Sequence, residues 1–261
     1  MPELPECEAS RKAVEAGALN RTIEGFEEHN TIHLELPGPQ DRDRLKGHQF
    51  TETHRHGKHI FAGSKSGPWI AVHLGMTGSL KTFDAPRDLP DYAHFIIRFE
   101  GDRRLIYYNP RKFGWMRVID DPHDWIANKD LGPDAMEIGD NMFADRIGGS
   151  RGTVKSALLD QKKLAGVGNL WADEALYRAG IGPEVKGTEL GSDRIATLYK
   201  EMRASLQGVL DVNADYGKLP GDWLIHNREE GADCPRCGGT ITKKTVGGRT
   251  AYFCPDYQEA A

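Results

Sequence analysis

No apolar run in this sequence approaches the roughly 18 residues that a membrane span requires. The N-terminus, Met1-Pro2-Glu3-Leu4-Pro5-Glu6, has neither a basic stretch nor an apolar one behind it, so no secretory leader is expected. Cysteine is scarce: four residues in a chain of 261, too few for a disulfide framework. Three of them fall within residues 234–254, which points to metal rather than to cross-links. Basic residues are not in excess either, with 34 Lys and Arg against 39 Asp and Glu and a net charge of −5. A general electrostatic attraction to polyanions is therefore missing. Internal repeats and low-complexity runs are absent as well. The remainder, 28% charged and 38% hydrophobic, suits a globular chain of one large or two medium domains.

The charge is unevenly spread. Residues 1–30 hold seven glutamates against Arg11, Lys12 and Arg21. Residues 102–117 hold five basic residues and one acid, and residues 234–254 hold Arg236, Lys243, Lys244 and Arg249 with no acid. A mildly acidic protein can carry local basic faces that follow phosphates, although solvated surfaces have the same composition.

The patterning divides the chain. A helix opens near Pro5, a residue suited to a first helical turn, and closes near Gly17 or Asn20. From there to about Val118 the pattern is strand-like, with alternation over residues 31–36, 59–62 and 94–99 and Gly-rich turns between. Short strands with such turns predict an antiparallel sandwich or barrel. Residues 119–150 are polar and rich in Asp, Pro and Gly. Helices are predicted over 153–161, over 169–179 with Gly180 as terminator, and from Ser192 onward with a stripe of Ile195, Leu198, Met202, Leu206, Val209 and Leu210. The chain ends in a Cys-rich hairpin. The expected class is α+β in two domains: an N-terminal helix and antiparallel β-sandwich over 1–125, a linker over 126–150, a helical domain over 151–225 and a hairpin over 226–261.

Four local patterns carry chemistry. Removal of Met1 would leave Pro2 as a secondary amine, and an α-amino group titrating near 8 offers a neutral nucleophile near neutral pH. Glu3 and Glu6 stand close to it for proton transfer. In Thr53-His54-Arg55-His56-Gly57-Lys58-His59, Lys58 sits at a strand edge among cations. His54 and His56 share one face and His59 the other, so a basic phosphate-facing strand is preferred to a metal site. The third pattern is a helical pair joined through Lys162, Lys163 and Gly166-Val167-Gly168 to Asn169. Asn169 is the expected helix cap, and a helix start offers free N–H groups to an anion. An ordinary helical hairpin has the same pattern. Trp171 stands where a dinucleotide fingerprint needs its third glycine. The fourth is Cys234-x2-Cys237-x16-Cys254-x2-Tyr257, the spacing of a zinc ribbon with Tyr257 in place of the fourth thiolate. Asp256, His226 or water are candidates to close the shell.

In this order the motifs resemble the formamidopyrimidine-DNA glycosylase family, over essentially the whole chain. The resemblance runs through Pro2-Glu3-Leu4-Pro5-Glu6, Gly57-Lys58, His73-Leu74-Gly75-Met76-Thr77-Gly78, Asn109-Pro110-Arg111-Lys112-Phe113-Gly114, Gly166-Val167-Gly168-Asn169 and the C-terminal hairpin. It implies a helix–two-turn–helix domain with a zinc-finger-like hairpin. It also implies a bifunctional glycosylase and abasic-site lyase that flips an oxidised purine (formamidopyrimidine or 8-oxoguanine) out of the duplex. Excision of the base is followed by strand cleavage through β- and δ-elimination.

By this resemblance Pro2 is the Schiff-base nucleophile, Glu3 protonates the sugar, Glu6 supports the site and Lys58 binds the adjacent phosphate. Met76, Arg111 and Phe113 fill the gap left by the flipped base, a role that apolar wedges and a base-pairing Arg suit. Lys155, Asn169 and Arg249 hold phosphates. Cys234, Cys237 and Cys254 bind a structural Zn2+, weakened by Tyr257. The implied partner is double-stranded DNA with oxidised bases or abasic sites. No membrane partner is expected, and a monomer in the cytoplasm, associated with a bacterial-type nucleoid, is. Segment 212–220 is shorter than the family's loop over 8-oxoguanine, which leaves an endonuclease VIII-like preference for oxidised pyrimidines, or a non-catalytic lesion binder, as alternatives. Lys112 stands where many relatives have Arg.

Overall fold

The structure is a computed structural model that describes residues 1–84 and 89–258. It contains two compact units, Met1–Asp130 and Leu131–Ala261.

The first unit begins with α1 (Leu4–Ala18). Two antiparallel four-stranded sheets follow, built from β1 (Ile23–Glu28), β2 (Glu52–His56), β3 (His59–Gly63), β4 (Trp69–His73), β5 (Ser79–Asp84), β6 (Ala93–Phe99), β7 (Arg103–Tyr108) and β8 (Trp115–Ile119). Their orders are β1-β6-β7-β5 and β2-β3-β4-β8. Two short helices, α2 (Pro39–Leu45) and α3 (Pro122–Asn128), complete the unit. Alternate residues of both sheets meet in one core, including Ile60, Ile70, Val72, Phe95, Ile97 and Tyr107. Cys7, Val14 and Ala18 of α1 join it, which seats the helix and its N-terminus on the sandwich.

The expected strand over 31–36 does not form. Its alternation is real, since Leu34 and Leu36 pack against the core. However, His33 adopts a left-handed φ of 75° and Leu34 N–H bonds back to the Thr31 carbonyl, so the chain turns there. One bridge, Glu35 to Trp115, is all that remains of a ladder.

The second unit contains α4 (Asp140–Phe143), α5 (Val154–Leu159), α6 (Asn169–Arg178), α7 (Ser192–Asp211) and the hairpin of β9 (Thr242–Val246) and β10 (Arg249–Phe253). Residues 131–150, read as linker, belong to it. Ala135, Ile138, Phe143 and Ile147 are buried, and Ala135 N–H bonds to the Ala165 carbonyl. The Asp, Pro and Gly content makes this stretch look like a linker, yet these four apolar side chains face inward. The hairpin is not a separate body either. Cys234, Ile241 and Cys254 share a small core with Tyr177 of α6 and with Leu224. On α7 the expected stripe is buried from Ile195 to Val209, with Leu210 half-buried. Gly180 ends α6 at φ 66°, as its position after the helix predicts.

Candidate functional site

Glu3 is the N-cap of α1 and is buried, with half-buried Pro2 just ahead of it. Its N–H donates to Glu6 Oε2 at 2.7 Å, half of a capping box that fixes both carboxylates at the helix start. One turn on, the buried Cys7 thiol donates to the Lys58 carbonyl at 3.4 Å. Lys58 and Gly57 form the two-residue turn between β2 and β3, where His56 pairs with His59. Gly57 has φ 57°, a conformation that favours glycine. Around the Cys7 thiol lie the charges of Glu6, Arg55, Lys58 and Glu3, and burial pushes that thiol far up. The four groups therefore share one neighbourhood.

A second link holds this geometry. Glu8 accepts from Arg11 Nη2 at 2.8 Å and from Arg55 Nε at 3.2 Å, while Arg55 Nη1 donates to the Gly57 carbonyl at 3.1 Å. Burial raises the Glu8 carboxyl, but Arg11 and Arg55 hold it below its ordinary value. Arg55 thus ties the helix of Pro2 to the turn of Lys58. The sequence pattern showed Arg55 only as one more cation, because its partner lies 47 residues away.

The three histidines do not gather as ligands. His59 packs its ring on His73 at 5.2 Å, Trp115 at 5.7 Å and Trp125 at 4.9 Å. Burial first, then the neighbouring His73, lowers its pKa to about 3. His73 is also lowered, by burial and by the charge of Lys58, and its Nδ1 accepts the Gly75 N–H at 3.1 Å.

Met76, Arg111 and Phe113 lie on two neighbouring loops and are all solvent-exposed. Met76 N–H donates to the Phe113 carbonyl at 3.2 Å, and Arg111 N–H donates to Thr77 Oγ1 at 3.1 Å. Buried Asn109 donates to the Leu74 carbonyl at 3.4 Å and to Tyr107 Oη at 3.0 Å. The Arg111 guanidinium stacks 5.5 Å from the Phe113 ring centroid. Two large apolar side chains and a cation are thus held out into water by buried polar groups, an arrangement that folding alone does not call for.

In the second unit the outcome is mixed. Asn169 is the first residue of α6, not its cap, and Gly168 takes the cap position. The Asn169 side chain donates to the Thr250 carbonyl at 2.9 Å. Arg249 is exposed at the start of β10, beside the Gly247-Gly248 turn. Lys155, expected on a phosphate, is instead fully buried. Its Nζ bonds Asp173 Oδ1 and the Thr250 carbonyl, each at 2.7 Å. A cation cannot stay in an apolar interior unpaired, and Asp173, which supplies the charge, lies 18 residues ahead in another helix.

The thiols of Cys234, Cys237 and Cys254 lie within 4.8 Å of one another, and Cys237 Sγ is 3.5 Å from Cys254 Sγ. Three soft donors this close fit a tetrahedral metal such as zinc, with thiolate bonds of about 2.3 Å. Among the described residues no His, Asp or Glu completes the group. His226 faces the Leu219 carbonyl, and the Tyr257 hydroxyl accepts from Arg236 Nη1 at 2.7 Å. Tyr177 Oη is 3.2 Å from Cys234 Sγ. Burial opposes the Cys234 thiolate, yet this and neighbouring hydrogen bonds bring its pKa to about 7.

Comparison with known proteins agrees with this geometry. Residues 1–116 match the family model of the formamidopyrimidine-DNA glycosylase N-terminal domain, 131–218 that of its H2TH domain, and 233–256 that of the zinc finger found in FPG and IleRS. A formamidopyrimidine-DNA glycosylase of Pelotomaculum thermopropionicum is 33% identical over 276 residues, spanning 99% of each chain. The Lactococcus lactis formamidopyrimidine-DNA glycosylase bound to DNA with an abasic site superposes with a TM-score of 0.88 at 27% identity, covering 99% of this chain and 100% of that one. The same Lactococcus lactis protein bound to DNA with an oxidised pyrimidine gives 0.87 at the same identity and coverage. The chain belongs to the formamidopyrimidine-DNA glycosylase family.

Proposed function

We infer that the chain is a base-excision-repair DNA glycosylase with abasic-site lyase activity, and that its chemistry runs through Pro2. The observation that carries this reading is the clustering of Glu3, Glu6 and Lys58 around the helix start that bears Pro2. Once Met1 is removed, the Pro2 amine attacks C1′ of the damaged nucleotide. The C1′–base bond breaks, the base leaves with its electron pair, and an iminium forms between Pro2 and the sugar. Glu3 supplies a proton as the sugar ring opens. Loss of a C2′ proton then expels the 3′ phosphate, and a second elimination expels the 5′ phosphate. Lys58 holds the adjacent phosphate during both steps.

The remaining assignments follow the exposed groups. Met76, Arg111 and Phe113 occupy the gap left by the flipped base, and Arg249 and Asn169 face phosphates. Lys155 drops out of this list, because a fully buried ammonium group cannot reach the DNA backbone. Cys234, Cys237 and Cys254 hold zinc as a structural ion for the hairpin, with a solvent molecule as fourth ligand. The substrate is duplex DNA with an oxidised purine, and the protein works as a cytoplasmic monomer at the nucleoid. A second reading, preference for oxidised pyrimidines, draws support from segment 212–220, which forms only one 3-10 turn, Tyr216–Lys218.

Two assays test this. Borohydride should trap the parent protein covalently on abasic DNA, and Pro2→Gly should lose both trapping and excision while DNA affinity stays within a few-fold. Excision by Pro2→Gly at the parent rate would overturn the nucleophile. A panel of duplexes with oxidised purines or oxidised pyrimidines decides between the two substrate readings.

A further inference from the structure

The buried ion pair of Lys155 and Asp173 plays no part in the chemistry above, and its surroundings show what it does. Asp173 is 1% exposed on α6. Its Oδ1 accepts from Lys155 Nζ at 2.7 Å. Its Oδ2 accepts from Arg228 Nη2 at 2.7 Å and Nε at 3.1 Å, and from the Tyr252 N–H at 3.2 Å. Lys155 makes a second donation, to the Thr250 carbonyl, which Asn169 also contacts. The Arg228 guanidinium covers the Tyr252 ring at 4.6 Å. Directly at Arg228 and the Tyr252 N–H, and through Lys155 at the Thr250 carbonyl, one carboxylate on α6 thus ties α5 and β10 together.

A two-stranded hairpin is marginal by itself and needs an anchor to hold one position. Here there are two. At the turn, a Cβ on Gly247 would collide with the Ser156 side chain of α5, so the hairpin tip lies against that helix. Along β10 the anchors are Thr250 and Tyr252. Arg249 lies between the two, and it is exposed.

We propose that Asp173 is a positioning residue for DNA binding: through Lys155, Arg228 and the main chain of β10 it fixes the strand that carries Arg249. The proposal rests on the reading that Arg249 contacts a DNA phosphate. A buried, hydrogen-bonded charge pair sets geometry more than it adds stability, since burying both charges costs about what their attraction returns.

A double-mutant cycle tests it. Affinity for a duplex with a stable abasic-site analogue is measured across a salt series for the parent, Asp173→Asn, Arg249→Ala and the double variant, with thermal melting to check folding. Each single variant should bind roughly tenfold more weakly, as loss of one charged hydrogen bond implies. Each should also flatten the salt slope by about one unit. The double variant should bind no worse than Arg249→Ala. Lys155→Met, which keeps the pair of Asp173 and Arg228, should behave the same way, and it carries the cycle if Asp173→Asn does not fold. Losses that multiply in the double variant overturn the positioning role while leaving Arg249 at a phosphate. Parent-like binding by Arg249→Ala overturns the phosphate contact and the proposal together.

Discussion

Gly75 offers a sharp test of the two exposed loops. Its φ is 67°, and a Cβ at this position would overlap the Phe113 carbonyl oxygen and lie 2.8 Å from the Gly114 nitrogen. Both atoms belong to main chain, so no rotamer change can relieve the clash. In Gly75→Ala the loop of residues 74–78 must therefore move away from that of residues 109–114. The left-handed conformation costs about 1–2 kcal/mol in a residue with a Cβ. Loss of the hydrogen bond from Met76 to Phe113 adds about 1 kcal/mol. The sum, about 2–3 kcal/mol, should lower the melting temperature by roughly 10 °C without unfolding the sandwich at 25 °C.

The effect on activity should be larger than the effect on stability. On the proposed reading Met76 and Phe113 enter the duplex together, and a displacement of about 1 Å at such a site can cost on the order of a hundredfold in rate. Single-turnover excision of a damaged base should fall by about that factor. Strand cleavage at a preformed abasic site, where no base has to be displaced, should fall much less. Gly38→Ala, whose Cβ meets nothing within 4 Å, is the control and should cost less than about 1 kcal/mol. Excision by Gly75→Ala at the parent rate, or an equal loss in both assays, refutes the idea that the two loops act as one device.

Three further outcomes are expected. Glu3→Gln, which keeps a side-chain acceptor at the start of α1, should abolish base release but retain cleavage of preformed abasic sites, measured on matched duplexes; equal loss of both activities contradicts the assignment of Glu3 as acid. The His59 pKa of about 3 lies below its ordinary value, so the unfolded chain takes up the proton first and stability falls as the pH drops from about 6.5 towards 3, by up to a few kcal/mol. Urea titrations at pH 7 and pH 4.5 should show this slope, and His59→Phe should flatten it. Elemental analysis should find one zinc per chain, released to a chelator faster than from Tyr257→Cys; a zinc-free protein with unchanged DNA cleavage contradicts the three-cysteine assignment.

Local signals were mostly legible where one element sufficed, although the expected cap Asn169 gave way to Gly168. The opening of α1 at Pro5, the stripe of α7 and Gly180 after α6 all follow from residue type and spacing along a single helix. The strand at 31–36 was misread because His33 enters a left-handed turn that its residue type does not announce. Residues 131–150 look like a linker because they are rich in Asp, Pro and Gly, yet Ala135, Ile138, Phe143 and Ile147 are buried. In the candidate site, Pro2, Glu3 and Lys58 were visible as motif members. Arg55 and Lys155 were both seen as surface cations, and only the distant carboxylates of Glu8 and Asp173 fix their true surroundings. Pairings of that range leave no trace in local composition.

The hairpin is gripped largely by its main chain. Lys155 and Asn169 take the Thr250 carbonyl, and Asp173 takes the Tyr252 N–H; the backbone offers these atoms whatever residue stands there. Random substitution along β10 should therefore be tolerated at exposed Thr250, with proline the exception at position 252, where its missing N–H would break the grip. The same freedom does not extend to Lys155 and Asp173, neither of which can be exchanged without stranding a buried charge. Sequence drift in this part of the molecule should thus concentrate in β10 and spare the helices behind it, so that the hairpin can change its exposed side chains while keeping where it stands.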